Sequence, residues 1–262
     1  MQLLKLISAC LLLLSCVESN PLAYKGEPTN DVVGTTSISK VSRTLHITSQ
    51  EDLDTWINGH TEFHVLYSVI LNGSGPFDFK KIPVSYVGRN TKCRKSTVGS
   101  DPFIFVRNPN VTIKNLVIKK SSPDGIEISK GSNVKFVNLD IQHSCDEGIT
   151  VRDRAKLELI SSRIVSQHNK GVIFYSDTEA SISKSTISSE QAFSLASNNR
   201  GLKILIENSI IKKHPLAEDG RLITGDNCGD VHIKIHQSSL LFMQQLIGTL
   251  DCNNIQIEYL EL

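Results

Sequence analysis

The sequence predicts an all-β protein, a right-handed parallel β-helix of about seven or eight coils, and three observations carry that expectation. An eight-residue strand pattern recurs at an almost constant spacing of 23 residues, apolar side chains alternate within each copy, and the repeats lack the periodicity of an amphipathic helix. A period of this length, built from short β-branched strands and polar turns, suits a solenoid in which each coil buries its apolar face against the next.

The clearest copies are 111–118 (VTIKNLVI), 134–141 (VKFVNLDI), 157–164 (LELISSRI) and 180–187 (ASISKSTI), each starting 23 residues after the last. Stretches 204–211, 233–240 and 255–262 continue the pattern at spacings of 24, 29 and 22, and the long gap predicts a loop after Lys212. A second short strand follows the early copies at 126–128, 149–151 and 172–174. The first, third and eighth positions are mostly apolar, as in a strand with one buried face. The fifth position holds Asn115, Asn138, Ser161 and Asn208, residues suited to a bend whose side chains form hydrogen-bonded ladders between coils. A leucine-rich repeat would need a recurring leucine framework and a helical segment, and isoleucine and valine stand here instead.

Upstream, Ser49-Gln50-Glu51-Asp52 is a helix start, and a short helix over Leu53 to Ile57 is expected to cap the first coil of a domain spanning 44–262. Residues 20–43 are polar, with Gly26, Pro28, Asn30 and Gly34, and read as a linker or arm. Residues 1–19 read as a secretory signal peptide: Lys5 supplies the positive flank, Leu6 to Leu14 the apolar region, and Val17 and Ser19 fit a cleavage site. The apolar run falls short of the ~20 residues of a membrane span, so a secreted, extracellular protein is expected. Beyond the signal lie Cys93, Cys145, Cys228 and Cys252, enough for two disulfides in any of three connectivities. Asn72-Gly73-Ser74 and Asn110-Val111-Thr112 are glycosylation sequons for a eukaryotic source. A formal charge of +1 argues against nucleic acid as the main partner, and a capped solenoid is expected to be a monomer.

In a solenoid, residues one period apart sit above one another at about 4.8 Å, so spacing becomes geometry. Asp124, Glu147 and Lys170 are spaced 23 and 23 and form one expected column, with Asp146 alongside. Carboxylates converging on a rigid surface repel unless a cation joins them, and oxygen ligands suit calcium. The bland alternative is a stack of solvated turn residues with a simple acid–lysine pair. His143 and His168 are expected in turns, His168 two residues before Lys170.

Around this column the sequence resembles the small secreted pectate lyases of polysaccharide lyase family 3, as a divergent member. The resemblance runs through Ser100-Asp101-Pro102-Phe103-Ile104, Asn115-Leu116-Val117-Ile118, Asp124-Gly125-Ile126, Asn133-Val134, Cys145-Asp146-Glu147-Gly148, Asn169-Lys170-Gly171-Val172 and Gly225-Asp226. The acidic pair is in swapped order. The family places an arginine near Leu195, 25 residues beyond Lys170, where this chain has none; Arg200 is the nearest. Lys135-Phe136-Val137 stands where the family carries paired tryptophans.

The resemblance implies a calcium-dependent lyase that cleaves polygalacturonate, the acidic backbone of pectin, by β-elimination. It implies Asp124, Asp146 and Glu147 as calcium ligands and Lys170 as base, with Arg200 standing in for the family arginine as substrate contact and second catalytic group; His168, by its place beside Lys170, is a candidate proton carrier or substrate contact against the reading of an exposed turn histidine. The competing expectation is a catalytically impaired glycan-binding or surface protein on the same scaffold.

Overall fold

The structure is a computed structural model that describes residues 44–65, 67–73, 75–87, 102–122, 124–166, 170–175, 177–196, 201–217, 220–241 and 245–260, without the side chains of 122, 226–228 and 245–253. The chain divides after Lys40, and Val41–Leu262 forms the unit considered below. The expected signal peptide and arm, Cys93, His168 and Arg200 lie outside the described residues.

Strands dominate this unit, and every strand pair is parallel, each strand pairing with its counterpart one coil away. Three faces result. The first carries Ile104–Val106, Ile126–Ile128, Ile149–Val151, Lys170–Phe174 and Gln191–Leu195. The second carries Asn110–Lys114, Asn133–Val137, Lys156–Ile160, Thr178–Ser183 and Gly201–Glu207. The third is an 8-stranded sheet that includes Val117–Ser122, Asp140–Ser144 and Arg163–Ser166. The first two faces count as one 15-stranded sheet because Arg221–His236 turns the corner, its start pairing with Gln191–Leu195 and its end with Gly201–Glu207.

The alternation read in the sequence becomes the core. Val111, Ile113 and Ile118 of one coil lie under Val134, Phe136 and Ile141 of the next, all 3% exposed or less. Their stacked side chains fill the coil interior, and burying each such side chain contributes roughly 1.5–3 kcal/mol. The fifth position turns the corner between the second and third faces with positive φ: Asn115 at 55°, Asn138 at 58°, Ser161 at 50° and Asn208 at 49°. Asparagine tolerates the left-handed conformation, and its amide extends the ladder: Asn138 Nδ2 donates to Asn115 Oδ1 at 3.1 Å, and Asn115 Nδ2 to Asp78 Oδ1 at 3.0 Å. A second ladder follows at the sixth position, where the buried hydroxyls of Ser162, Ser185 and Ser209 accept from backbone N–H groups one coil below.

The expected helix is Gln50–Ile57, closed by a capping box in which Ser49 Oγ accepts from Asp52 N and Asp52 Oδ2 accepts from Ser49 N. It turns Leu53, Trp56 and Ile57 onto the end of the solenoid, Trp56 stacking on Phe63 at 4.9 Å. No helix among the described residues is long and apolar enough to cross a membrane. One expectation needs correcting. The last copy pairs Ile233 with Ile257, a spacing of 24 rather than 22. Ile255-Gln256-Ile257 keeps the same face buried after a slip of two, so the alternation cannot choose between the two registers.

Candidate functional site

The first face brings Asp124, Glu147 and Lys170 into one column. Ile126 pairs with Ile149 and Ile149 with Val172, which stacks the residues two positions earlier on successive coils. The backbone confirms the stacking: Gly125 N donates to Glu147 O at 2.9 Å, and Gly148 N to Lys170 O at 3.1 Å. Directly inside the column run Gly125, Gly148 and Gly171. A Cβ on Gly125 would stand 2.4 Å from Gly148 O, one on Gly148 2.6 Å from Gly171 O, and one on Gly171 2.8 Å from Ala192 O. Glycine at these three places is what lets consecutive coils approach closely enough to stack the charged column.

Glu147 is the hub. Lys170 Nζ lies 3.2 Å from Glu147 Oε1, and Thr150 Oγ1 donates to Glu147 Oε2 at 2.8 Å. The side chains of Lys170 and Glu147 are only 23% and 11% exposed, so water screens this pair less than an ordinary surface pair. Asp124 Oδ1 accepts from Glu147 N at 3.4 Å. Burial first, then the neighbouring charges of Glu147 and Asp146, push the Asp124 carboxyl from its ordinary 3.8 up to about 8. Three acidic side chains therefore share one neighbourhood, and Asp124 answers the crowding by holding its proton.

The expected calcium ligands are neighbours but do not converge as a metal cluster. Among the described residues no group of three or more histidine, cysteine, aspartate or glutamate side chains is placed to hold a metal ion. The reason is local: the oxygens of Glu147 are taken up by Lys170 and Thr150, and the lysine neutralises the charge a cation would have met. The residues as arranged do not fit calcium. Asp146 lies one place out of the column, 7% exposed. His143, expected in a turn, is half-buried within Asp140–Ser144, its Nε2 3.9 Å from Cys145 Sγ.

Pairing extends the column past the point where a spacing of 23 stops. Lys170 pairs with Gln191, Gln191 with Arg221 and Arg221 with Gln245. Gln191 Oε1 accepts from Thr224 Oγ1 at 2.6 Å, which fixes the amide between lysine and arginine. Arg221 is thus the arginine of this column, missed in the sequence because the spacing beyond Lys170 changes from 23 to 21 and then to 30. The same face carries a further group that the spacing did not single out. Arg152 Nε lies 3.1 Å from Glu127 Oε2, and its guanidinium lies 3.8 Å over the Tyr175 ring. A groove of about 950 Å³ lies elsewhere, on the second face, and no column residue lines it.

No curated protein and no solved structure matches this chain. One family model matches, that of the right handed beta helix region, over residues 102–238, the stretch that holds the column and most of the coils. With its parallel coils and that match over more than half its length, the chain belongs to the right-handed β-helix family.

Proposed function

We propose that this chain is an exported, polysaccharide-active β-helix that cleaves polygalacturonate by β-elimination on its first face. The observation that carries the reading is the half-buried Lys170–Glu147 pair continued by Gln191 and Arg221 in one column. In that reaction a base takes the proton alpha to the uronate carboxylate to give an enolate-like intermediate, whose electrons then form the C4–C5 double bond as the C4–O bond breaks and the departing sugar oxygen takes a proton from water. Lys170 is the base. Glu147 holds the ammonium that proton transfer creates. Arg221 stands two rungs above, about 9.6 Å along the axis, within reach of the same sugar, and its guanidinium pairs with the uronate carboxylate as charge builds there. Export is proposed from the leading apolar segment, and the four cysteines beyond it are an even number, as suits an oxidising compartment. Calcium dependence enters through the resemblance alone, and Glu147 would have to release Lys170 to become a ligand.

The Lys170–Glu147 contact also favours a second reading, because an ion-paired ammonium binds anions without removing protons. On that reading the column captures an acidic glycan and leaves it intact. Purified protein incubated with polygalacturonate, with calcium and separately with a chelator, separates the two through the ultraviolet absorbance of the unsaturated product. Product that disappears in Lys170→Met supports the lyase. Binding without product at any alkaline pH leaves the glycan-binding reading, and calcium-independent product removes calcium from the proposal.

A further inference from the structure

The groove on the second face runs across the outward side chains of consecutive coils, from Thr112 at one end to Lys234 at the other. Thr112, Lys135, Glu158, Ser181, Leu205 and Lys234 are successive rungs, so the groove extends for about 24 Å at about 4.8 Å per rung. A channel of that length suits an extended chain better than a compact metabolite. Its charge is unbalanced: Lys135, Lys156, Lys203 and Lys234 line it against Glu158 and Glu179. Lys135 pairs with Glu158 at 2.9 Å, Lys156 with Glu179 at 2.7 Å and Lys234 with Glu258 at 3.3 Å, whereas Lys203, one rung above Glu179 and within its field, forms no ion pair within 4 Å among the described residues. With Glu258 set against Lys234, one positive charge, that of Lys203, remains in excess along the strip.

From this geometry we infer a second binding site, a groove for an extended acidic polysaccharide, which holds a polymer on the second face while the first face acts on it. The inference rests on the proposed function for its ligand class. Charge complementarity selects an anion. The other lining groups select a sugar: the Asn110 and Asn133 amides, joined at 3.0 Å, and the hydroxyls of Thr112 and Ser181 match ring hydroxyls, while Leu205 and the lysine stems offer apolar surface to ring faces. Single-stranded nucleic acid would call for aromatic platforms, and no aromatic ring other than His232 lines this groove among the described residues.

Lys203→Glu tests the inference, since Lys203 is exposed and its only described charge partner, Glu179, keeps its 2.7 Å pair with Lys156. Ser181→Trp is the companion variant, filling the groove without changing charge. Affinity is read by calorimetry with long polygalacturonate and with its trimer, and the thermal midpoint is read on the same samples. The expected result is at least tenfold weaker binding of the long polymer in both variants, with trimer binding and thermal midpoint unchanged. Unchanged polymer affinity in both variants overturns the groove and leaves the column's reading intact. If wild type binds neither ligand, the proposed function and the groove's ligand class fall together. If Lys170→Met abolishes trimer turnover while polymer affinity still depends on Lys203, both stand. Tighter binding of single-stranded DNA than of the polymer, lost in Lys203→Glu, overturns the polysaccharide assignment.

Discussion

Asp124→Asn makes the folded state indifferent to the pH that the wild-type column feels. The asparagine keeps an oxygen to accept from Glu147 N and removes the charge that burial, Glu147 and Asp146 oppose. With its carboxyl raised from 3.8 to about 8, the folded chain binds a proton more tightly than the unfolded chain. Ionisation therefore costs folding nothing well below 3.8, a growing amount as pH rises through the interval, and its full amount above about 8. At about 1.36 kcal/mol per tenfold, the full cost is at most about 6 kcal/mol. Asp124 is not fully covered, so water and relaxation reduce the cost to about 2–3 kcal/mol. Urea unfolding of both proteins at about pH 4 and about pH 9, in chelator, measures it. The variant should gain about 2–3 kcal/mol over wild type at the higher pH and little at the lower. An equal difference at both pH values, or a variant weaker at the higher pH, would refute the crowded-carboxyl account.

Three further outcomes follow from the same geometry. Gly148→Ala places a methyl 2.6 Å from both Gly171 O and Ile164 Cγ2, and should cost about 1–3 kcal/mol in thermal unfolding while lowering any Lys170-dependent turnover. Asn138→Ala loses both the tolerance of φ 58° and the amide bond to Asn115, about 1–2 kcal/mol in total; Asn138→Gly should recover the backbone share, and equal losses in the two would contradict this division. Arg221→Gln should lower kcat/KM on polygalacturonate by about 10- to 100-fold, the worth of a hydrogen bond to a charged group, whereas a normal value would remove Arg221 from substrate recognition.

The apolar alternation at 111–118 and its copies determined the parallel coils, because a solenoid repeats one environment per turn and the sequence repeats with it. The same regularity placed Asp124, Glu147 and Lys170 in register, and the bend positions declared themselves because the left-handed corner favours asparagine. Legibility ended where the spacing broke. Gln191 and Arg221 join the column at intervals of 21 and 30, since coil length varies in the turns while hydrogen bonding between strands keeps the rungs aligned. The last coil slipped by two for a related reason: alternation fixes which face is buried, and only strand pairing fixes the rung. Side-chain direction also lay beyond sequence. Spacing stacked the carboxylates, but the contacts of Glu147 with Lys170 and Thr150 were set by partners that meet only when the coils close.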